Sequence, residues 1–333
     1  RSQRYAEIAE RCRIKTMLEH RLKLANIERA MELIEPVFLN TPQYRAEALD
    51  PIIGCHLVVK VETLNPIRSF KGRGASYFVS QLDTDKPLVC ASAGNFGQAM
   101  AYACRARGVP LVVYASINAN PLKVEKMRAL GAEVRLEGGD FDSSKLEAKR
   151  SAMCSGMLMV EDSLEPATGE GAGTIGLELL RWKEEFDVML IALGNGALLT
   201  GIGRWVKAHS PRTQIIGVAA RGAPAMFESW RTGRVVEYPA IDTIADGIGV
   251  RLPVPEVIED MQGVVDDVVL VSDGSMLQAM KLLHEHLGLV VEPSGAVGLA
   301  AILEDQKRFR NKLIATVICG GNLTADQIRQ WLM

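Results

Sequence analysis

Paired cysteines are missing from this sequence. Its 6 cysteines, Cys12, Cys55, Cys90, Cys104, Cys154 and Cys319, are scattered, with no CxxC spacing and no histidine cluster. That argues against a disulfide framework and predicts reduced thiols in a cytoplasmic protein, with no metal ligands. Long hydrophobic runs are missing too. None approaches the ~18 residues that span a bilayer, and no signal-peptide pattern opens the chain. Nor is there an excess of positive charge: the formal net charge is −2, which leaves no electrostatic footprint for nucleic acid or an anionic membrane. Repeats, low-complexity tracts and long linkers are absent. With nothing after Met333, feedback through an appended domain is not expected. What remains is a chain of 333 residues, 48% of them hydrophobic, enough for a large core and two domains.

The first 35 residues are charged and helix-prone, with Ile14, Met17 and Leu18 on one face, and predict an outer helical arm. After "LNTPQY" the pattern alternates. Short apolar runs predict strands at "HLVVKVE", "PLVCASA", "PLVVYAS", "AEVRLE", "GMLMVE", "DVMLIAL", "QIIGVAA" and "LIATVICG". Between them lie helical segments such as "AMAYACRARG" and "LKVEKMRALG", each closed by a glycine suited to a helix C-terminus. Strands alternating with helices imply an α/β fold with parallel-rich sheets covered on both faces.

Ligands in such sheets bind beyond the carboxyl ends of strands, and several strand ends carry unusual residues. In "CASAGNFGQA" the strand ends at Ala91 and a helix begins near Phe96. Between them Ser92, Gly94 and Asn95 offer hydroxyl, amide and N–H groups to a carboxylate; the alternative is an ordinary helix cap. In "LGNGALLTGIG", Gly194, Asn195 and Gly196 form a turn before an apolar helix, whose N–H groups and dipole can cradle a phosphate. No Gly-Lys-Ser/Thr follows, so it is not a Walker loop. In "VICGGN" a strand ends in Cys319, which reads either as core filler or as a weak hydrogen-bonding partner for a ring atom. Finally, "NPIRSFKGRGA" sets Lys71 between Phe70 and two glycines that allow close backbone approach, with Arg68 and Arg73 nearby. Cations and apolar surface favour a neutral, nucleophilic amine there; the alternative is a basic loop opening a helix.

Together these stretches resemble the threonine/serine dehydratase group of fold-type II pyridoxal-phosphate enzymes (tryptophan synthase β-like), which includes serine racemase. The resemblance runs from about residue 36 to the end, in order and spacing. It implies that Lys71 of "SFKGRGA" carries pyridoxal 5'-phosphate, with Phe70 beside the ring. It puts Asn95 near the phenolic oxygen and the stretch Ser92, Ala93, Gly94, Asn95 and Phe96 around the substrate, Ser92 near its carboxylate. Gly194, Asn195, Gly196, Ala197 and Leu198 take the phosphate position, and Gly247 of "TIADGIGV" lies against the other ring face. Glu292 of "VEPSGAVGLAAI" joins the cofactor contacts, and Cys319 falls where the pyridine-nitrogen partner belongs. The resemblance further implies a homodimer whose large domain is 1–84 with 159–333, and whose small domain, 85–158, carries the substrate loop.

Departures from the family pattern shape the expected activity. Asn195 and Ala197 interrupt a loop that is often nearly all glycine, and Phe96 replaces a common histidine. Ala93 stands where racemases of the group carry a serine acid/base, and Arg221 where relatives with a divalent cation carry glutamate. "KGR" follows the lysine motif where cysteine-synthase relatives, which capture the intermediate with a second nucleophile, show "KDR". The expected reaction is therefore β-elimination on an amino acid such as L-threonine or L-serine, with Lys71 as the Cα base. The β-hydroxyl leaves, protonated through the cofactor phosphate, and a 2-oxo acid and ammonia result. β-Replacement and racemisation are the alternatives.

Overall fold

The computed structural model describes residues 20–333. Of the predicted arm, Ile14, Met17 and Leu18 lie outside the described residues, whereas Leu24–Leu33 forms helix α1, which buries Ile27 and Ala30. Ten strands follow among the described residues: β1 Gln43–Arg45, β2 His56–Val61, β3 Leu88–Ala91, β4 Leu111–Ala115, β5 Glu133–Leu136, β6 Leu158–Val160, β7 Val188–Ala192, β8 Gln214–Ala220, β9 Asp267–Val271 and β10 Leu313–Ile318. Every predicted apolar run forms a strand. The two not predicted, β1 and β9, are the edges of the larger sheet; β1 is half-buried throughout and carries no apolar run, whereas β9, DVVLV, does carry one that was overlooked.

That sheet has the order β1-β2-β10-β7-β8-β9, and the smaller the order β5-β4-β3-β6. All pairings are parallel except β1 with β2. Because β2 and β10 are neighbours in register, segments from near both ends of the chain build the centre of the large sheet. Sequence alternation inside β3 shows why its run is apolar throughout. Leu88 and Cys90 join one core with Ala99 and Met100, while Val89 and Ala91 join another with Ala148. Both faces are covered, so every side chain is buried.

The helices that position the site are α2 (Lys71–Ser80), α3 (Asn95–Arg107), α4 (Pro121–Ala129), α5 (Phe141–Ser155), α6 (Pro166–Leu179) and α7 (Ala197–His209). The predicted glycine stops appear: α3 is capped by Gly108, in the left-handed region, and α4 ends two residues before Gly131, with φ 94°. No helix among the described residues is long and apolar enough to cross a membrane. Parallel strands end on one side, so β3, β6, β7 and β10 deliver Ser92, Asp162, Gly194 and Cys319 towards a common cleft.

Candidate active site

A cavity of ≈ 550 Å³ occupies that cleft. Phe70, Lys71, Ser92, Ala93, Gly94, Asn95, Phe96, Gly194, Asn195, Gly196, Ala197, Leu198, Gly247, Glu292 and Cys319 all line it, so the structure gathers every expected cofactor and substrate contact around one space.

Lys71 opens α2, which is anchored to the end of β10 because the Phe70 N–H donates to the Cys319 carbonyl at 3.0 Å. Its amine lies 4.8 Å from the Phe70 ring centroid and 5.9 Å from that of Phe96. The predicted electropositive surroundings are not found. Arg68 is exposed, and Arg73 is fully buried and turned away, donating to Glu62 and Glu178. Lys71 Nζ instead donates to Asp162 Oδ2 at 2.5 Å. Helical geometry explains the error, since residues two apart point to different sides. The glycines also serve another purpose. A Cβ on Gly72 would stand 2.2 Å from the Phe38 ring, and one on Gly74 would stand 2.6 Å from the Thr168 carbonyl of α6. They let α2 pack closely on its neighbours rather than on a ligand.

Asp162 was missed in the sequence. The available signal was its place two residues beyond β6, at a strand end where α/β ligand sites form.

The loop after β3 combines both readings offered for it. Ser92 Oγ accepts the N–H groups of Gly94 at 3.2 Å and Gly97 at 2.9 Å. Its oxygen thus caps α3, and its hydroxyl proton remains for an anion. The helix starts at Asn95, one residue earlier than expected. The Asn95 amide donates to Glu292 Oε1 at 2.7 Å and its carbonyl accepts from Asn322 at 2.9 Å, which fixes the side chain. Burial pushes the Glu292 carboxyl up, partly offset by the charge of Lys123, and the Asn322 N–H also donates to it.

At the end of β7 the chain turns through Gly196, with φ 95°, into α7. The N–H groups of Gly194, Asn195, Gly196 and Leu198 have no partner among the described residues, whereas that of Ala197 reaches Ser163 Oγ at 3.3 Å. Free N–H groups at a 13-residue helix start suit a phosphate. A Cβ on Gly247 would stand 2.5 Å from Ser294 Oγ, a buried hydroxyl oxygen with no partner among the described residues. Cys319 Sγ donates to the Ser294 carbonyl at 3.5 Å, and burial pushes its thiol up, so it stays neutral. An anion cradle, a tethering amine, flanking aromatic rings and a neutral thiol fit pyridoxal phosphate. Arg221 pairs with Glu304 at 2.8 Å, away from the cavity lining.

The family model described as pyridoxal-phosphate dependent enzyme matches residues 34–320. The chain is 31% identical over 309 residues to a biosynthetic L-threonine dehydratase of Halalkalibacterium halodurans, covering 91% of this chain and 74% of that protein. To an L-threonine ammonia-lyase of Thermotoga maritima it is 33% identical over 310 residues, covering 92% of this chain and 77% of that protein. The solved structure of maize serine racemase superposes with a TM-score of 0.87 at 30% identity, covering 93% of this chain and 96% of that one.

Proposed function

The chain belongs to the pyridoxal-phosphate dependent enzymes, and from that premise we propose that it is a lyase that eliminates the β-hydroxyl of an amino acid such as L-threonine or L-serine, releasing a 2-oxo acid and ammonia. The observation that carries this reading is one amine, Lys71, facing a helix-capping loop on one side and an unpaired N–H turn on the other. When bound, the cofactor supplies an electron sink for charge developing at Cα. Lys71 tethers it and moves the Cα proton at Nζ. The Ser92 hydroxyl and the start of α3 would bind the substrate carboxylate, the free N–H groups of Gly194, Asn195, Gly196 and Leu198 would hold the phosphate, and Phe70 with Gly247 would confine the ring. Asn95, held by Glu292 and Asn322, meets the ring with a fixed amide. The four-stranded sheet, spanning residues 88–160, is the core of the smaller domain in this reading. The enzyme works in the cytoplasm as a homodimer, which size-exclusion chromatography with light scattering tests.

A spectroscopic screen of amino acids for 2-oxo acid and ammonia release tests the activity directly. Release from β-hydroxy amino acids is expected, and its absence across the screen would overturn the reading. Racemisation is the rival with support among relatives. Ala93, where a second-face acid/base would stand, has no proton to give. Chiral chromatography after prolonged incubation with L-serine is therefore expected to show pyruvate with D-serine at least ~10²-fold slower. D-Serine forming as fast as pyruvate would show that another residue serves that face.

Cys319 offers a further check. A neutral thiol and a hydroxyl make similar hydrogen bonds, so Cys319→Ser is expected to keep most activity. Cys319→Asp would set a buried carboxylate in the cavity that Glu292 already occupies and is expected to slow elimination at least ~10-fold, the cost of about one pKa unit of mispaired charge. Equal rates for the two variants would mark Cys319 as core filler.

A further inference from the structure

We propose that a second cavity of ≈ 410 Å³, adjoining the main one, is a subsite for the substrate's side chain, and that the preferred substrate is a 3-hydroxy amino acid with a bulky apolar group, such as an aryl ring, on Cβ. The inference rests on the β-elimination reading above and names its substrate class.

The two cavities share a wall. Ala91, Phe141, Asp142, Asp162, Asn195 and Leu252 line both. Ala91 ends β3 directly before Ser92, and Asn195 belongs to the turn between β7 and α7. The opening between the cavities therefore lies between the loop that faces the substrate carboxylate and the turn that faces the phosphate. A substituent on Cβ has this opening beside it, and the residue that β3 sets at the neck is only an alanine. L-Serine carries nothing beyond its hydroxyl and L-threonine only a methyl group, so neither reaches into the second space, which is as large as many small-molecule sites.

The walls of that space are mostly apolar. Phe141 and Leu146 come from α5, Met159 from β6, Leu164 from beyond it, and Leu252 and Val254 from the loop ahead of the short helix Pro255–Asp260. Phe141, Leu146 and Leu252 are 42%, 50% and 40% exposed. Large apolar side chains normally reach the surface singly, and three around one opening mark a binding site. Phe141 is held there by backbone chemistry, because Asp140 and Ser143 form a capping box around the first turn of α5. Arg251 donates to Asp142 at 2.5 and 2.8 Å and so ties that turn to the Leu252 loop across the opening.

The charges exclude an anionic side chain. Lys145 and Lys149 both pair with Glu161, and the lining sets these two lysines against four carboxylates, Asp142, Glu161, Asp162 and Glu256. An anion entering the subsite meets net repulsion. The reaction balances as before. The Cβ–O bond breaks with both electrons leaving on oxygen, one water departs and a second releases ammonia, so L-threo-3-phenylserine gives phenylpyruvate and ammonia.

In the holoenzyme, kcat/KM on L-threo-3-phenylserine is expected to exceed that on L-serine by ~10–10²-fold, the worth of burying one aryl side chain. Met159→Trp fills the subsite and should lower the ratio of the two values at least ~10-fold. Should that variant fail to accumulate, Leu146→Trp, at a half-exposed position outside the core, must show the same fall. The ring's own effect on the leaving group is common to every variant and cancels in the comparison. A readout independent of turnover uses amino acids without a leaving group. L-Phenylalanine carries the same ring on Cβ, and calorimetry is expected to show it binding the holoenzyme at least ~10-fold more tightly than L-alanine. It should also shift the ¹³C-methyl resonance of Met159, which L-alanine should leave in place. A preference for L-serine or for L-threo-3-hydroxyaspartate, a ratio unmoved by the tryptophan variant, or L-phenylalanine binding no more tightly than L-alanine would each overturn the proposal. Tight binding of L-phenylalanine with no 2-oxo acid released from any β-hydroxy amino acid would uphold the subsite and refute the elimination reading instead.

Discussion

Lys71→Ala is expected to lower turnover by ~10⁴-fold or more while the protein still folds and still binds its cofactor. The size follows from two losses at one atom: the tether to the cofactor and the base at Cα, of which general-base catalysis alone is worth ~10²–10⁴-fold. The fold survives because Lys71 sits at the first turn of α2 with its side chain 17% exposed, and its ion pair with Asp162 faces the cavity rather than the core. In the variant Asp162 still borders the cavity, so water reaches the carboxylate in place of the ammonium and the loss is smaller than for a pair sealed in the core. Cofactor binding persists because the N–H groups from Gly194 to Leu198 do not depend on the lysine. Borohydride reduction of the wild type followed by peptide mapping is expected to leave the pyridoxyl group on Lys71, and the variant should yield none. Label on another lysine, or a variant that retains more than a hundredth of wild-type turnover, would defeat the assignment.

Much of this site could be read in the sequence because its parts are local. A strand, a turn of small or polar residues and a helix follow one another within about ten residues at Ala91–Gln98 and again at Ala192–Gly201, so strand-end chemistry and helix-start chemistry are adjacent in the chain. What depended on which way a side chain points was not legible. Arg73 and Lys71 are two residues apart and face different environments, one a buried network and the other the cleft. Gly72 and Gly74 suggested a bound ring, yet they answer to Phe38 and to the backbone of α6. Asp162 reaches Lys71 across 91 positions of sequence, and no local pattern announces such a pairing. The edge strand β1 escaped for a related reason: a strand with one neighbour has less apolar surface to bury, so its sequence is less constrained, whereas β9, DVVLV, was legible and was overlooked.

Arg73→Met is expected to cost about 3–5 kcal/mol of folding stability, the usual penalty for stranding buried charge. Arg73 donates to both Glu62 oxygens at 2.8 Å and to Glu178 at 2.7 and 2.9 Å, and Lys60 donates to Glu178 at 2.5 Å. Two cations meet two anions, and none of the four side chains is more than 2% exposed. The network ties β2 to α2 and α6 directly behind the turn that carries Lys71. Without Arg73, two carboxylates are left with Lys60 alone. Burial by itself would raise the Glu178 carboxyl, but the hydrogen bonds and charge of Arg73, helped by Lys60, overcome it and hold it at about 2. Burial pulls Lys60 down in spite of Glu178 and Glu62, and the like charge of Arg73 adds to that push. A depressed carboxyl contributes stability that is complete above its unfolded value and disappears as pH falls through its folded one. Wild-type unfolding free energy, from urea titrations, is therefore expected to decline between about pH 4.5 and 2, and Arg73→Met should start lower and decline less. If the variant matches the wild type at pH 7, or keeps the full acid slope, the network does not hold α2 in place and the rigidity of the Lys71 turn must come from its contacts with β10 alone.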